Sequence, residues 1–156
     1  MFGQLSLQEI DDLLKEQLVG RIGCHVEGVT YIVPMSYAYK DNYIYCHSFE
    51  GRKMEMMRKN PDICFEVDNT KDLANWQSVM AWGVFEELPQ GPLRVEAIRI
   101  LEERRLPILS SETMRLGSSW PFHSGEDNVG GIVFRIALKE KTGRYEKTSD
   151  EHFFAT

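Results

Sequence analysis

The sequence predicts a mainly β fold: six antiparallel strands closing into a small barrel, with helices flanking it. Three observations carry this. Short segments alternate apolar and polar residues, as half-buried strands do. Two-residue turn signals, Glu27-Gly28 and Asp41-Asn42, join neighbouring segments as hairpins. Helical spacing is confined to three stretches between or before the strands. The 156 residues fit one domain, 1–156, around one core.

The elements follow in order. Ser6-Leu-Gln-Glu9 is a capping box, with Leu5 and Ile10 placed as a hydrophobic staple. Leu7, Ile10, Leu14 and Leu18 keep helical spacing, so the first helix runs over about 6–17. Residues 20–27 form the first strand and 29–40 a long second one. Pro34 lies inside the second strand; proline cannot donate to a ladder, so that strand is an edge or is bulged. Residues 43–48 are the third strand. A helix over 51–59 stops at Asn60-Pro61, with Met54 and Met57 on a face that packs in the core. Residues 63–67 are the fourth strand, 68–75 a polar loop, and 77–88 a long fifth strand. Residues 93–105 are helical, and 110–127 are irregular. Residues 130–141 are the sixth strand, extended by Gly143-Arg-Tyr-Glu146, and the tail is loose.

Composition excludes several functions. The formal net charge of −6 argues against nucleic-acid binding, which wants a broad positive face. No apolar run reaches the roughly 18–20 residues of a membrane span, and the N-terminus lacks a signal-like core, so a cytoplasmic location is expected. Cys24, Cys46 and Cys64 are odd in number and match no zinc spacing; buried free thiols are expected. His25, His47, His123 and His152 are too scattered to argue for a metal, although His123, after Trp120-Pro-Phe, is a candidate pocket residue. Nucleotide loops, the Gly-x-Ser-x-Gly elbow and His-Glu-x-x-His are absent from the sequence.

Chemistry concentrates in one turn. His47, Ser48, Gly51, Arg52 and Lys53 fall within seven residues, where the third strand hands over to the second helix. A hydroxyl donor, a glycine and two cations at a helix mouth are what an anion needs. Arg suits two phosphate oxygens at once. The alternative from composition alone is a solvated basic loop on an ordinary helix start.

The run from Tyr43 to Val67, with its Gly51-Arg-Lys53 turn, helix and Asn60-Pro-Asp-Ile-Cys-Phe65, resembles the FMN-binding split barrel of the pyridoxamine-phosphate-oxidase-like superfamily. The capped first helix, the proline in the second strand and the His47-Ser turn are most similar to its nitroimidazole-resistance-protein-like branch. The resemblance covers about 5–88 well and 130–143 weakly. It implies a six-stranded antiparallel split β-barrel and a homodimer with FMN between subunits. It implies that Arg52 and Lys53 bind the FMN phosphate, with His47 and Ser48 on the approaching strand. Pro34, Met35 and Ser36 would run beside the isoalloxazine, and Gln77 and Ser78 would contact flavin in the dimer. The pyridoxamine-phosphate oxidases proper carry Arg-x-Val-Leu-Leu-Lys where this chain has Met35-Ser-Tyr-Ala-Tyr-Lys40, which keeps only the lysine. Their C-terminal Arg-x-His is also absent, so vitamin B6 oxidation is not expected.

The leading expectation is therefore an FMN-dependent oxidoreductase. It would reduce a small organic substrate, such as a nitroaromatic or a quinone, with a nicotinamide donor. His47 and Tyr37 are the candidates for proton transfer. The alternatives are a non-catalytic flavin- or haem-binding protein, acting as sensor or carrier, and a structural barrel with an empty site.

Overall fold

A computed structural model of the chain describes residues 1–104 and 129–148. Its elements run β1 (Phe2–Gln4), α1 (Leu7–Glu16), β2 (Val19–Val26), β3 (Val29–Ser36), β4 (Ala38–Lys40), β5 (Tyr43–Ser48), α2 (Arg52–Lys59), β6 (Asp62–Asp72), β7 (Asn75–Glu87), α3 (Pro92–Glu102) and β8 (Ile132–Glu146). The fold is mainly β with flanking helices, as the sequence predicts, but the described strands number eight, not six. Strand order is β3-β2-β6-β7-β8-β5-β4, with β1 paired to β8 and every pairing antiparallel.

Both extra strands have physical causes. β1 is three residues long, too short for periodicity, and its partner is the far end of β8, with Phe2 opposite Glu146. The expected single strand over 29–40 breaks at Tyr37. Before it, β3 pairs with β2; after it, β4 pairs with β5. This one segment therefore occupies both ends of the strand order, and the barrel closes around it, split between β3 and β4. Tyr37 fixes the switch: it is fully buried, its hydroxyl donates to Leu14 O (2.7 Å), and its ring meets Phe65 edge-on at 4.9 Å.

Pro34 sits in β3, at the end of the sheet order, where a missing donor costs no ladder bond. The expected polar loop over 68–75 is instead ladder: β6 and β7 stay paired from Asp62↔Val84 to Asp72↔Asn75. The polar residues there extend the hairpin past the core, so no apolar alternation announced it. Both turn signals hold, with Glu27, Gly28, Asp41 and Asn42 all at positive φ as a type I′ hairpin needs.

The capping box forms as read: Glu9 N donates to Ser6 Oγ (3.3 Å) and Ser6 N to Glu9 Oε2 (2.7 Å). α1 closes one end of the barrel with Ile10, Leu13 and Leu14. α2 inserts Met54, Met56 and Met57 into the same core, and Asn60 Nδ2 donates to His25 O (2.8 Å) at the β2–β3 hairpin. α3 covers the outside of β5, burying Ala97, Ile98 and Leu101 against Tyr45 and Val133. β5 is thus buried on both faces. Cys24 and Cys46 are buried free thiols; Cys64 departs from expectation in being half-buried. No helix among the described residues is long and apolar enough to cross a membrane.

Candidate functional site

β5 ends at Ser48 and the chain turns through Phe49, Glu50 and Gly51 into α2. Gly51 is the N-cap, with extended backbone, and no side chain caps the helix. Met54 N and Glu55 N bond back to Gly51 O, which leaves the earlier amides of the first turn directed outward. The space where a Gly51 side chain would stand is open, with no atom within 4 Å. Arg52 is exposed and its guanidinium lies 5.3 Å from the centre of the Tyr31 ring on β3. Lys53 is half-buried. Neither cation has a carboxylate partner among the described residues. Burial raises the thiols of Cys24 and Cys46, the latter to about 12; the Lys53 charge works against both shifts, as does Arg104 at Cys46. The helix mouth is therefore a patch of outward N–H groups and two uncompensated cations beside β3, suited to an anion.

The remaining predicted residues are placed less uniformly. His47 is 2% exposed, and its Nε2–H donates to Gly130 O at 2.6 Å, just before β8. Ser48 is fully buried with its hydroxyl turned to Phe49 O (3.3 Å). Gly131, at φ +75°, makes this packing possible: a Cβ there would stand 2.6 Å from Ser48 O and 2.9 Å from His47 Nε2. His47 and Tyr37, the expected candidates for proton transfer, are both buried and bonded to backbone carbonyls.

On β3, alternation sends Met35 into the core and leaves Pro34 exposed and Ser36 half-buried on the outer face. Gln77 and Ser78 are consecutive on β7 and so face opposite sides. Ser78 Oγ donates to Glu66 Oε1 (3.4 Å) on the outer face; Gln77 lines a cavity of about 220 Å³ with Asn69, Trp76 and Tyr145. Pairing runs Pro34–Arg21–Glu66–Met80 across four strands, which puts β3 and β7 about 14 Å apart. Arg21 fills that gap, bridging Glu66 and Asp68 at 2.9 Å each. The sequence reading missed Arg21. It is visible as a cation on a strand, but only the register puts it between Pro34 and Ser78. Near it the outer face carries an apolar hollow of about 500 Å³, lined by Gly23, Cys64 and two exposed apolar residues, Ile32 and Trp82.

The fold is that of a split-barrel protein, and the mouth of α2 presents two cations beside its edge strand. The family model described as pyridoxamine 5′-phosphate oxidase matches residues 6–145, and the chain belongs to that family. It is 32% identical over 104 residues to an uncharacterised protein of Rhizobium meliloti (strain 1021), spanning 64% of this chain and 69% of that one. It is similar to the crystal structure of an FAD-binding protein from Mesorhizobium loti, with a TM-score of 0.71 and 29% identity over 94% of this chain and 99% of that one. It shares its fold with a candidate 5-nitroimidazole antibiotic resistance protein from Bacteroides thetaiotaomicron, with a TM-score of 0.68 and 20% identity over 93% and 87% of the two chains.

Proposed function

We propose that the protein is a homodimeric flavoprotein that binds FMN and works as an oxidoreductase on a small organic substrate, such as a nitroaromatic or a quinone, with a nicotinamide donor. The observation that carries the reading is the uncapped mouth of α2, where Arg52 and Lys53 have no carboxylate partner among the described residues. A flavin phosphate is a dianion that fits this donor set, and the Mesorhizobium loti relative is described as binding a flavin. FMN and FAD share the phosphate on the ribityl chain, so the same cations serve either; FMN is the form we propose. Flavin, when bound, supplies the redox chemistry. The chain's own part is to hold and orient: Arg52, Lys53 and the first-turn amides at the phosphate, and the β3 edge at Pro34 and Ser36 along the ring. Gln77 and Ser78 would come from a second copy. A second copy also fits the outer hollow at Ile32 and Trp82, because a monomer has little reason to leave a half-exposed tryptophan on an apolar sheet face.

Absorbance of the purified protein, titrations with FMN, FAD and riboflavin, and sedimentation of the loaded protein test this. A flavin spectrum, preference for FMN over riboflavin, and a mass of two chains are expected. A one-chain mass with flavin bound removes the dimer, and tighter binding of FAD than FMN replaces the cofactor. A second reading, a flavin carrier without turnover, is favoured by the burial of His47 and Tyr37, each bonded to a backbone carbonyl. Oxidation of reduced nicotinamide by the loaded protein separates the two readings. A Soret band instead of flavin absorbance would mean haem.

A further inference from the structure

We propose that Arg58 is a positioning residue for the anion site: by gripping Glu50 it keeps that carboxylate off Arg52 and Lys53 and leaves both cations for a phosphate. The inference rests on the flavin-phosphate reading above. Glu50 is a carboxylate two residues before Arg52 and three before Lys53, on the same turn into α2. It is instead held from behind. Arg58 Nη2 donates to Glu50 Oε1 (2.7 Å) and Nη1 to Oε2 (2.8 Å), a two-point grip on one carboxylate. The same guanidinium donates through Nε to Glu87 Oε2 (2.9 Å) and through Nη2 to Glu87 Oε1 (2.9 Å).

Glu87 gives the clamp a fixed anchor. It is the last residue of β7, paired with Phe134 of β8, and the next residue's N–H donates to Val133 O (2.9 Å). The turn before α2 is therefore tied through one arginine to the rigid part of the sheet. Hydrogen bonds from Arg58 hold both carboxyls below the ordinary carboxylate range, so both are charged. Without Arg58, Glu50 would be a loose anion beside two cations. It would pair with one of them or repel an incoming dianion, and either weakens phosphate binding. Glu55, exposed in the first turn of α2, is a further carboxylate on that helix, with no ion pair among the described residues. Exposed ion pairs contribute little to stability. The consequence of this one lies in where it points the charge.

The experiment is a set of FMN and riboflavin titrations on the parent, Arg52→Ala, Arg58→Ala, Glu50→Gln and the double variant Arg58→Ala/Glu50→Gln, at low and high salt. We expect Arg58→Ala to weaken FMN about five- to tenfold at low salt and less at high salt, with riboflavin unchanged. Adding Glu50→Gln should restore FMN to within about twofold of the parent, because the released carboxylate is the competitor. Glu50→Gln alone retains Arg58 and should bind FMN at least as well as the parent. No loss in Arg58→Ala, equal losses for FMN and riboflavin, or a double variant as weak as Arg58→Ala would each overturn the proposal; the last two would make Arg58 a brace of the fold. Thermal melts identify a variant that fails to fold, and the Glu50→Gln arm then decides alone: FMN binding weaker than the parent's overturns the proposal. A parent that binds FMN no better than riboflavin, with Arg52→Ala unchanged, overturns the phosphate reading itself and is recognised without any Arg58 variant.

Discussion

Removing either cation at the mouth of α2 should separate FMN from riboflavin. Neither Arg52 nor Lys53 has a carboxylate partner among the described residues, so truncation to alanine breaks no ion pair in the unloaded protein. The loss then falls on the ligand. Each charge-assisted bond is worth roughly 1.5–3 kcal/mol, which is about 10- to 100-fold in affinity. The two residues should differ within that range. Arg52 rests over the Tyr31 ring at 5.3 Å, a contact worth roughly 0.5–1 kcal/mol at an exposed site, and it gives up part of this when it turns to a phosphate. Lys53 gives up no such contact. We therefore expect Lys53→Ala to cost at least as much FMN affinity as Arg52→Ala, while riboflavin, which lacks the phosphate, hardly changes in either. Flavin fluorescence titrations on the parent and both variants measure this, and thermal melts within about 1 kcal/mol of the parent show the fold intact. Equal losses for FMN and riboflavin would refute the reasoning, because the turn would then be shaping the ring pocket. No loss at all would mean a solvated basic loop.

Three further outcomes follow from the fold. Gly20→Ala should destabilise by about 1–3 kcal/mol or prevent folding, because its Cβ would stand 2.1 Å from the fully buried Phe65 ring; denaturant melts check this, and a neutral result would misplace β2. Cys46, fully buried and pushed to about 12 by burial, should react with a thiol reagent only on unfolding; mass mapping of the labelled sites decides, and fast labelling of Cys46 in the folded protein at pH 8 contradicts it. The third concerns pH. Lys141 Nζ donates to Asp11 Oδ1 (2.7 Å), Asn42 Oδ1 (2.6 Å) and Tyr39 Oη (3.1 Å). Burial opposes charge on both Asp11 and Lys141, but their mutual hydrogen bond and those with Tyr39 prevail, so Asp11 lies below its ordinary range and Lys141 above. The Asp11 share of stability is present above its unfolded value near ~3.9 and lost as pH falls through the lower folded value. The Lys141 share is present below ~10.4 and lost as pH rises through the higher folded one. Asp11→Asn should cost about 1 kcal/mol near neutrality, allowing for its partial exposure, and flatten the acid limb of a stability–pH curve; an unchanged acid limb would sink the assignment.

What could be read in advance was what local physics sets. The capping box at Ser6 and Glu9, the two positive-φ hairpins and the core face of α2 at Met54 and Met57 each follow from a few neighbouring residues, and each forms. Pro34 on an edge strand follows from a missing N–H. What escaped depends on partners distant in sequence. β1 exists because Phe2 meets Glu146, and the break at Tyr37 exists because β3 and β4 pair with different strands. The paired hairpin over 68–75 is polar because it leaves the core, so hydrophobic alternation could not show it.

The candidate site divides along the same line. The basic turn is compact in sequence, and Arg52 and Lys53 stand at the helix mouth as their spacing suggested. Which neighbours leave them available is a tertiary matter. Glu50 is three residues before Lys53 and a sequence-local partner for it, yet the geometry gives it to Arg58, and Arg58 is held by Glu87, 29 residues further on. Met35 and Ser36 show the converse: they are neighbours in the chain, but strand alternation buries one and leaves the other on the outer face with Pro34, Arg21 and Ser78. A motif can therefore nominate cations for a phosphate, but register and ion-pair competition decide whether those cations are available. The Glu50 and Arg58 variants address that competition directly.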